Sequence, residues 1–269
     1  MKTEIFICTC SKDFPWLKYC LRSIKKFATG FFAVTILVPH PDLPALVDLV
    51  DKTRIEDVIP VYCLGGDEWP GLGMLWHEAQ IMYADQCCPS ADFIAHIDPD
   101  CVFTAPVTPE TYIKNGKPIL CYERFSNIVL RHPGIATWQN CTTNCLPFPV
   151  VYETMRHHPE VYHRGLYAIA RRQMWKKTGQ YVKDYIRSCR NEFPQTFCEF
   201  VTLGNVAMHL FPELYELVEQ FSDRITPPKH LQAFWSHGPM YEVQNIWVDG
   251  EFKPVVPLEM LTKLGLHNL

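Results

Sequence analysis

Short apolar runs alternate with stretches of helical periodicity through the first hundred residues of the chain. Four runs have the length and the branched side chains of buried strands, at residues 5–10, 33–38, 58–64 and 92–97. Between them, apolar residues recur three and four positions apart, as in Leu17, Leu21 and Ile24, which predicts helices that bury one face. This alternation favours an α/β fold with a Rossmann-like, mostly parallel central sheet and helices on both faces.

The second half of the chain has a less regular pattern, and we interpret it as an embellishment of the same unit. Further strands are expected at residues 117–122 and 127–130, and helices at 161–177, 181–190 and 212–221. No internal repeat or linker-like segment divides the sequence. We therefore predict a single domain over residues 1–269.

The composition is that of a globular protein, and it excludes several other classes of protein. Hydrophobic residues make up 48% of the chain and charged residues 20%, which excludes a disordered or collagen-like chain. The longest apolar stretch is far shorter than a membrane helix, and the N-terminus lacks a signal-peptide pattern. The twelve cysteines include no Cys-x-x-Cys pair, so we expect reduced, buried thiols. These features predict a cytoplasmic protein without a transmembrane segment.

The net charge of −4 conceals a basic segment at residues 156–190. Nine lysines and arginines lie in this segment against two acidic residues, so the rest of the chain is strongly acidic. A basic segment in an acidic protein commonly meets an anion such as phosphate or nucleic acid. The alternative is a solvated helix that happens to be cationic.

Two aspartates, Asp98 and Asp100, follow the fourth predicted strand. In extended backbone, residues two apart point the same way, so these carboxylates can converge on one cation. Carboxylates suit Mg²⁺ or Mn²⁺, which take phosphate oxygens as further ligands. In a parallel sheet, ligands bind beyond the carboxyl ends of the strands, where residues 9–13 are also expected. The alternative is a turn held by the hydrogen bonds of its aspartates.

The order of these features resembles the GT-A-fold glycosyltransferases, which use nucleotide sugars. Shared features are a Thr/Ser-containing loop after the first strand, several β/α units, and an Asp-x-Asp at a strand end. The resemblance implies that Asp98 and Asp100 hold Mn²⁺ or Mg²⁺ against the donor diphosphate, with a UDP-sugar as the favoured donor. In this reading Asp98 also contacts the donor, and Asp100 contributes to catalysis through the metal. The family commonly completes the metal shell with a late histidine, for which His237 is the candidate; a packed ring is the alternative.

The resemblance also implies which residues bind the donor nucleoside and which half of the chain binds the acceptor. The nucleoside would lie against the loop after the first strand, formed by Thr9, Ser11, Lys12 and Asp13. Residues 1–103 would be the nucleotide-sugar-binding half and residues 104–269 the acceptor-binding half.

A second acidic position, Glu199, lies between aromatic residues in Phe197-Cys198-Glu199-Phe200. This segment resembles the acidic segment that faces the acceptor in some of these enzymes. A reaction that inverts the anomeric carbon needs a carboxylate to take the acceptor's proton, and Glu199 is the candidate base. The alternative is a solvated glutamate at the start of a helix.

The candidate acceptor contacts lie in the second half of the chain. Arg156, His157 and Trp138 are candidate acceptor contacts, the first two because they open the basic segment. An anionic acceptor fits that segment, and two are considered: a hydroxymethyl-pyrimidine in phage-type modified DNA, and a cell-surface glycan precursor.

Two other classes of protein remain open on these residues. Asp98-Pro99-Asp100-Cys101-Val102 also fits the nucleophile motif of haloacid-dehalogenase-type phosphatases, although that motif follows the first strand of their fold. A non-catalytic scaffold of GT-A-like shape is the second alternative. Dinucleotide-binding and P-loop proteins are excluded, because the glycine motif of neither class occurs in the sequence.

Overall fold

The computed structural model describes residues 1–69, 73–131, 133–156, 159–189, 197–219, 231–233, 245–248, 251–254 and 258–266. The strands are β1 (Thr3–Cys8), β2 (Ala33–Pro39), β3 (Val61–Gly66), β4 (Phe93–His96), β5 (Cys101–Phe103), β6 (Ile113–Lys114), β7 (Lys117–Arg124), β8 (Tyr152–Glu153), β9 (Glu160–His163), β10 (Glu216–Glu219), β11 (Leu231–Ala233), β12 (Asn245–Val248) and β13 (Glu251–Pro254). The helices are α1 (Phe14–Phe27), α2 (Leu43–Thr53), α3 (Gly73–Ile81), α4 (Ala84–Cys87), α5 (Phe125–Arg131), α6 (Ala136–Cys145), α7 (Arg164–Thr178), α8 (Val182–Ser188), α9 (Glu199–Leu210) and α10 (Leu258–Lys263). Within these ranges, no helix has both the length and the apolar character needed to cross a bilayer.

A five-stranded sheet forms the centre of the fold, in the order β3-β2-β1-β4-β9. The first four strands in this order run parallel, and β9 pairs with β4 in the antiparallel direction. The four predicted strands of the first hundred residues are therefore confirmed, within two or three residues at their ends. The mixed α/β class with a mostly parallel central sheet is confirmed with them.

Helices cover both faces of this sheet, because successive residues of a strand point to opposite sides. Ile5 and Ile7 of β1 pack in an apolar cluster with residues of α1 and α2. Phe6 and Cys8 of the same strand pack on the other side, in a cluster that contains residues of α3, α7 and α9. The expectation of helices on both faces is confirmed.

A smaller sheet, in the order β10-β7-β6, follows the central one along the chain, and β8 also pairs with β7. β6 and β7 form a hairpin whose two turn residues, Asn115 and Gly116, both have positive φ. Asparagine and glycine tolerate this conformation best, which makes the pair a typical tight-turn sequence. The strand expected at residues 117–122 is confirmed as β7.

Three of the expectations for the second half are wrong in type or in extent. Residues 127–130 belong to helix α5, in which Ile128 is buried while Leu130 is exposed. Residues 160–163 form β9 before helix α7 begins at Arg164. Residues 216–219 form β10 instead of a helix, because they pair in parallel with residues 119–122 of β7. Strand pairing with distant residues thus outweighed the local periodicity.

Candidate functional site

The centre of the sheet has a topological switch point between β1 and β4. β1 is followed along the chain by β2 and β3 on one side, whereas β4 lies on its other side. The register pairs Phe6 with His96, so both strands end at the same edge shortly afterwards. Open α/β sheets bind ligands in the crevice at such a point. The structure brings residues 9–13, after β1, and residues 98–100, after β4, to this edge.

The loop after β1 is held in place by hydrogen bonds to its neighbours. The amide of Thr9 donates to the carbonyl of Leu37 over 2.9 Å, which ties the loop to the end of β2. The amide of Ser11 donates to Asp42 over 2.8 Å. Thr9 is buried, whereas the side chains of Ser11 and Lys12 are exposed. Two of the four predicted nucleoside contacts are therefore open to solvent on a fixed backbone.

The side chain of Asp13 forms hydrogen bonds within this loop. Its carboxylate accepts hydrogen bonds from the Thr9 hydroxyl over 3.4 Å and from the Cys10 thiol over 3.6 Å. Burial raises the pKa of Asp13, and the nearby His77 opposes this shift. Since His77 lies in the middle of α3, this part of the helix faces the same loop.

The backbone at Asp98-Pro99-Asp100-Cys101 is a turn, which corrects the expectation of an extended segment. The amide of Cys101 donates to the carbonyl of Asp98 over 3.0 Å. Proline suits the second position of such a turn because its ring fixes φ. The strand-based reason for convergence of the two aspartates is therefore wrong. A backbone hydrogen bond closes this turn, whereas the alternative was a turn held by the hydrogen bonds of its aspartate side chains.

The charges of the two aspartates nevertheless raise the pKa of the same two buried cysteines. Burial raises the pKa of the Cys101 thiol well above its usual range, and the charges of Asp100 and Asp98 raise it further. The same three causes, in the same order, raise the pKa of Cys20 on α1. Both carboxylates therefore lie close to one region of the protein, and both are half-buried.

This pair of carboxylates fits a hard divalent cation that also takes phosphate oxygens. Mg²⁺ is commonly bound through one or two carboxylates plus substrate phosphates. Among the described residues, no group of three or more His, Cys, Asp or Glu side chains could hold a metal ion by itself. His237, the predicted third ligand, lies outside the described residues.

Glu199 is the first residue of α9, and its side chain is only 6% exposed. The alternative of a solvated glutamate at a helix start is therefore wrong. Burial raises the pKa of the Cys8 thiol, and the charges of Glu199 and Asp98 are among the causes that raise it further. Cys8 ends β1, so Glu199 and Asp98 both lie near the switch point.

A second buried carboxylate, Glu78 on α3, was missed by the sequence reasoning. It is 2% exposed, and no described residue forms a hydrogen bond to either of its carboxylate oxygens. Burial raises its pKa well above the usual range, and the negative charge of Glu199 raises it further. The available signal was its position three residues after Leu75 and four before Met82, on the apolar face of the helix.

Arg156, a predicted acceptor contact, lies in the interior and is 1% exposed. Its guanidinium lies 2.9 Å from Glu153 and 3.1 Å from Glu123, both of which are buried. Burial raises the pKa of Glu153 to about 7, although the charge of Arg156 lowers it. This placement connects β7 to β8 and gives Arg156 a structural position instead of a surface one.

The other two predicted acceptor contacts have different outcomes. Trp138 lies on α6, half-buried against the cluster that covers one face of the sheet. His157 lies outside the described residues.

Some of the charge of the basic segment is balanced within the protein. Arg171 forms a two-pronged pair with Asp85, at 2.6 and 2.8 Å, and Lys183 lies 2.9 Å from Asp67. The exposed basic residues of α7 are Arg164, Arg172, Lys176 and Lys177.

Compared with models of protein families and with curated proteins, the sequence matches none.

Proposed function

We propose that this protein is a metal-dependent glycosyltransferase of GT-A type, which moves a sugar from a nucleoside diphosphate sugar to an acceptor hydroxyl. One observation carries the proposal: the Asp98–Asp100 turn, the loop of residues 9–13 and the buried Glu199 all lie at the switch point of the sheet. A nucleotide-binding loop, a pair of hard oxygen ligands and a candidate base are the parts that such a transfer requires.

Asp98 and Asp100 would hold Mn²⁺ or Mg²⁺ together with the donor diphosphate. When bound, the metal supplies positive charge that stabilises the leaving diphosphate. His237 is proposed as a further ligand. In support, the backbone of Ala233 lies opposite Cys101 in the antiparallel pair of β11 and β5, four residues before His237.

The donor nucleoside would lie along residues 9–13. The exposed Ser11 and Lys12 can contact the donor, while Thr9 and Asp13 hold the loop from the protein side. A UDP-sugar remains the favoured donor class.

Glu199 would act as the base if the reaction inverts the anomeric carbon. Glu78 supports this role, because two buried carboxylates that interact do not both ionise readily. The raised pKa of Glu78 keeps a proton on that member of the pair. Glu199 is then the member that takes the proton of the acceptor hydroxyl as the hydroxyl attacks.

The acceptor is proposed to be anionic. The exposed Arg172, Lys176 and Lys177 give α7 a cationic surface that suits a polyanion, such as modified DNA or a charged glycan. Arg156 is left out of this surface because it is buried.

A panel of UDP-, GDP-, CMP- and dTDP-sugars, with and without Mn²⁺, tests the donor site by thermal shift. One nucleotide sugar at a hundred times its dissociation constant should stabilise the protein by about 2.7 kcal/mol, and only with the metal. Asp98→Asn and Asp100→Asn should abolish the shift. Asp92→Asn is the matched control, because Asp92 lies just before β4, at the opposite end of that strand from Asp98. Its carboxylate accepts a hydrogen bond from the amide of Lys2.

The absence of a metal-dependent shift with every donor would overturn the proposal. Release of inorganic phosphate from a phosphomonoester, lost in Asp98→Asn, would favour the phosphatase alternative. An unchanged shift in both aspartate variants would mean that the turn serves the fold and not the donor.

A further inference from the structure

Two cysteines that are 48 residues apart in the sequence meet between α6 and the end of α8. The Sγ atoms of Cys141 and Cys189 are 3.4 Å apart. The hydroxyl of Tyr185 lies 3.5 Å from the Cys141 sulfur and donates to the Cys141 carbonyl over 2.8 Å. The Cys189 thiol also contacts the Tyr185 carbonyl, at 3.4 Å. These contacts hold both sulfurs in one place.

Within this pair, Cys141 differs from the other cysteines in the direction of its pKa shift. The structure describes all twelve cysteines, and none is in a disulfide. The hydrogen bond between Cys141 and Cys189 lowers the pKa of Cys141, and the contact with the Tyr185 hydroxyl also lowers it. Burial raises the pKa of cysteines elsewhere, for example Cys63 to about 11 and Cys121 to about 12. The thiolate is the reactive form of cysteine, so Cys141 is the more reactive member of the pair, while the contact with Cys141 raises the pKa of Cys189.

We propose that Cys141 and Cys189 form a reactive dithiol that low-molecular-weight disulfides convert to an intramolecular disulfide. One cysteine thiolate attacks a sulfur of the small disulfide, which gives a mixed disulfide and releases one small thiol. The second cysteine then attacks the protein sulfur of that mixed disulfide and releases the second small thiol. The two protons of the dithiol end on the released thiols, so the protein is oxidised by two electrons and the small disulfide is reduced.

The geometry is close to what the product requires. A disulfide bond is about 2.05 Å long, so the two sulfurs must approach by roughly 1.4 Å. Cys189 directly follows α8 and is half-buried, which gives a small disulfide access to the pair. In a reducing compartment, disulfides of this kind form transiently, as redox-responsive bonds.

The dithiol also lies next to the carboxylate pair described above. The charge of Cys141 is among the causes that raise the pKa of Glu78, and Glu78 is among those that raise the pKa of Cys189. The cross-link would therefore form beside the switch-point site. The inference goes beyond the proposed function and does not depend on it.

Peptide mapping of the full chain tests the proposal. The folded protein is incubated with oxidised glutathione, free thiols are blocked with N-ethylmaleimide, and the digest is analysed without reduction. The expected result is a cross-linked pair of peptides that contain Cys141 and Cys189, lighter by two hydrogen atoms and separated again by dithiothreitol. The oxidised protein should also have a higher Tm, because a cross-link over this separation restricts the unfolded chain.

Three variants sharpen the test. Cys189→Ser should stop at a glutathione adduct on Cys141, and Cys141→Ser should form no cross-link. Cys63→Ser is the matched control and should cross-link as the wild type does. The proposal is overturned if glutathione modifies Cys10, Cys63 and Cys87 without joining Cys141 to Cys189, or if the cross-link forms only in denaturant. Mapping of the wild type decides the question even if a variant fails to fold.

Discussion

At the scale of single residues, the most informative side chains are charged groups in the interior. Glu78 and Glu199 lie within electrostatic reach of each other, on helices α3 and α9 that pack together. No described residue forms a hydrogen bond to the carboxylate oxygens of Glu78, so ionisation of this buried group is costly and Glu78 is expected to hold its proton. Such groups are typical of functional sites, where the environment is arranged to shift a pKa.

The raised pKa of Glu78 predicts a loss of stability with increasing pH. The folded state binds this proton more tightly than the unfolded chain, whose glutamates have the ordinary value of 4.5. The contribution to stability is therefore complete below about pH 4.5 and is lost as pH rises towards the folded pKa. Glu78→Gln removes the titrating group, so its free energy of unfolding should fall less than that of the wild type between pH 5 and pH 8.

Urea unfolding of both proteins across this pH range is the measurement. Glu216→Gln, at an exposed position on β10, serves as the control and should follow the wild type. Identical pH slopes for Glu78→Gln and the wild type would show that Glu78 is already ionised in the folded protein.

Arg156 illustrates a buried charge with partners. Removing it takes the guanidinium away from the buried Glu153 and leaves Arg131 to pair with Glu123, so Arg156→Met should destabilise the protein by about 3–5 kcal/mol. Arg172→Met, at an exposed position on α7, should change stability by less than about 0.5 kcal/mol. Chemical denaturation of both variants checks this. A stable Arg156→Met variant with impaired acceptor binding would restore the original interpretation of Arg156 as an acceptor contact.

At the scale of elements, the position of α9 determines where Glu199 lies. The helix approaches β8 closely at Gly204, where an added Cβ would lie 2.1 Å from the Thr154 hydroxyl oxygen. The same hydroxyl donates to the Phe200 carbonyl over 2.9 Å, which fixes it against the helix. Glycine is required here for close packing and not for its backbone freedom.

Two glycine-to-alanine substitutions test this packing. Gly204→Ala should destabilise the protein by about 1–3 kcal/mol through overpacking, although alanine favours helices. Gly165→Ala, on α7, meets nothing within 4 Å and should stabilise by about 0.4–1 kcal/mol. Thermal unfolding of the two variants gives the comparison. Equal effects at the two sites would mean that α9 can move away from Thr154.

At the scale of the whole molecule, charge is distributed unevenly over the surface. Arg171 and Lys183 pair with acidic residues, whereas Arg172, Lys176 and Lys177 on α7 remain exposed. If these three contact phosphates of a DNA acceptor, the slope of log affinity against log salt should decrease by roughly 3 when all are changed to serine.

Fluorescence anisotropy with hydroxymethylated duplex DNA at several salt concentrations measures that slope. The metal-dependent donor shift should be unchanged in the triple variant, because α7 is not part of the donor site. Lys114→Ser with Lys117→Ser, at exposed positions of the β6–β7 hairpin, is the control. An equal decrease in the control would argue for non-specific attraction, and no binding at all would exclude DNA as the acceptor.

Sequence reasoning predicted the first half of the fold well and the second half poorly. Residues 33–38 correspond to β2 because a run of branched apolar residues reports a strand buried on both faces. Residues 216–219 became β10 because β7 lies beside them, about a hundred positions away in the sequence. Local periodicity reports which side chains are buried, but not which distant segment covers them.

The sequence by itself determined the α/β class, the mostly parallel direction of the first strands, and the Asp98 and Asp100 positions at a strand end. These follow from local patterns and from the rule that parallel strands present their carboxyl ends at one edge. Only the tertiary structure decided that residues 98–101 form a turn and that Arg156 forms buried ion pairs with Glu123 and Glu153. It alone also brought Glu78 to Glu199, and Cys141 to Cys189. The Glu78–Glu199 and Cys141–Cys189 pairs join segments far apart in the chain, and such contacts leave no periodic signal in either segment.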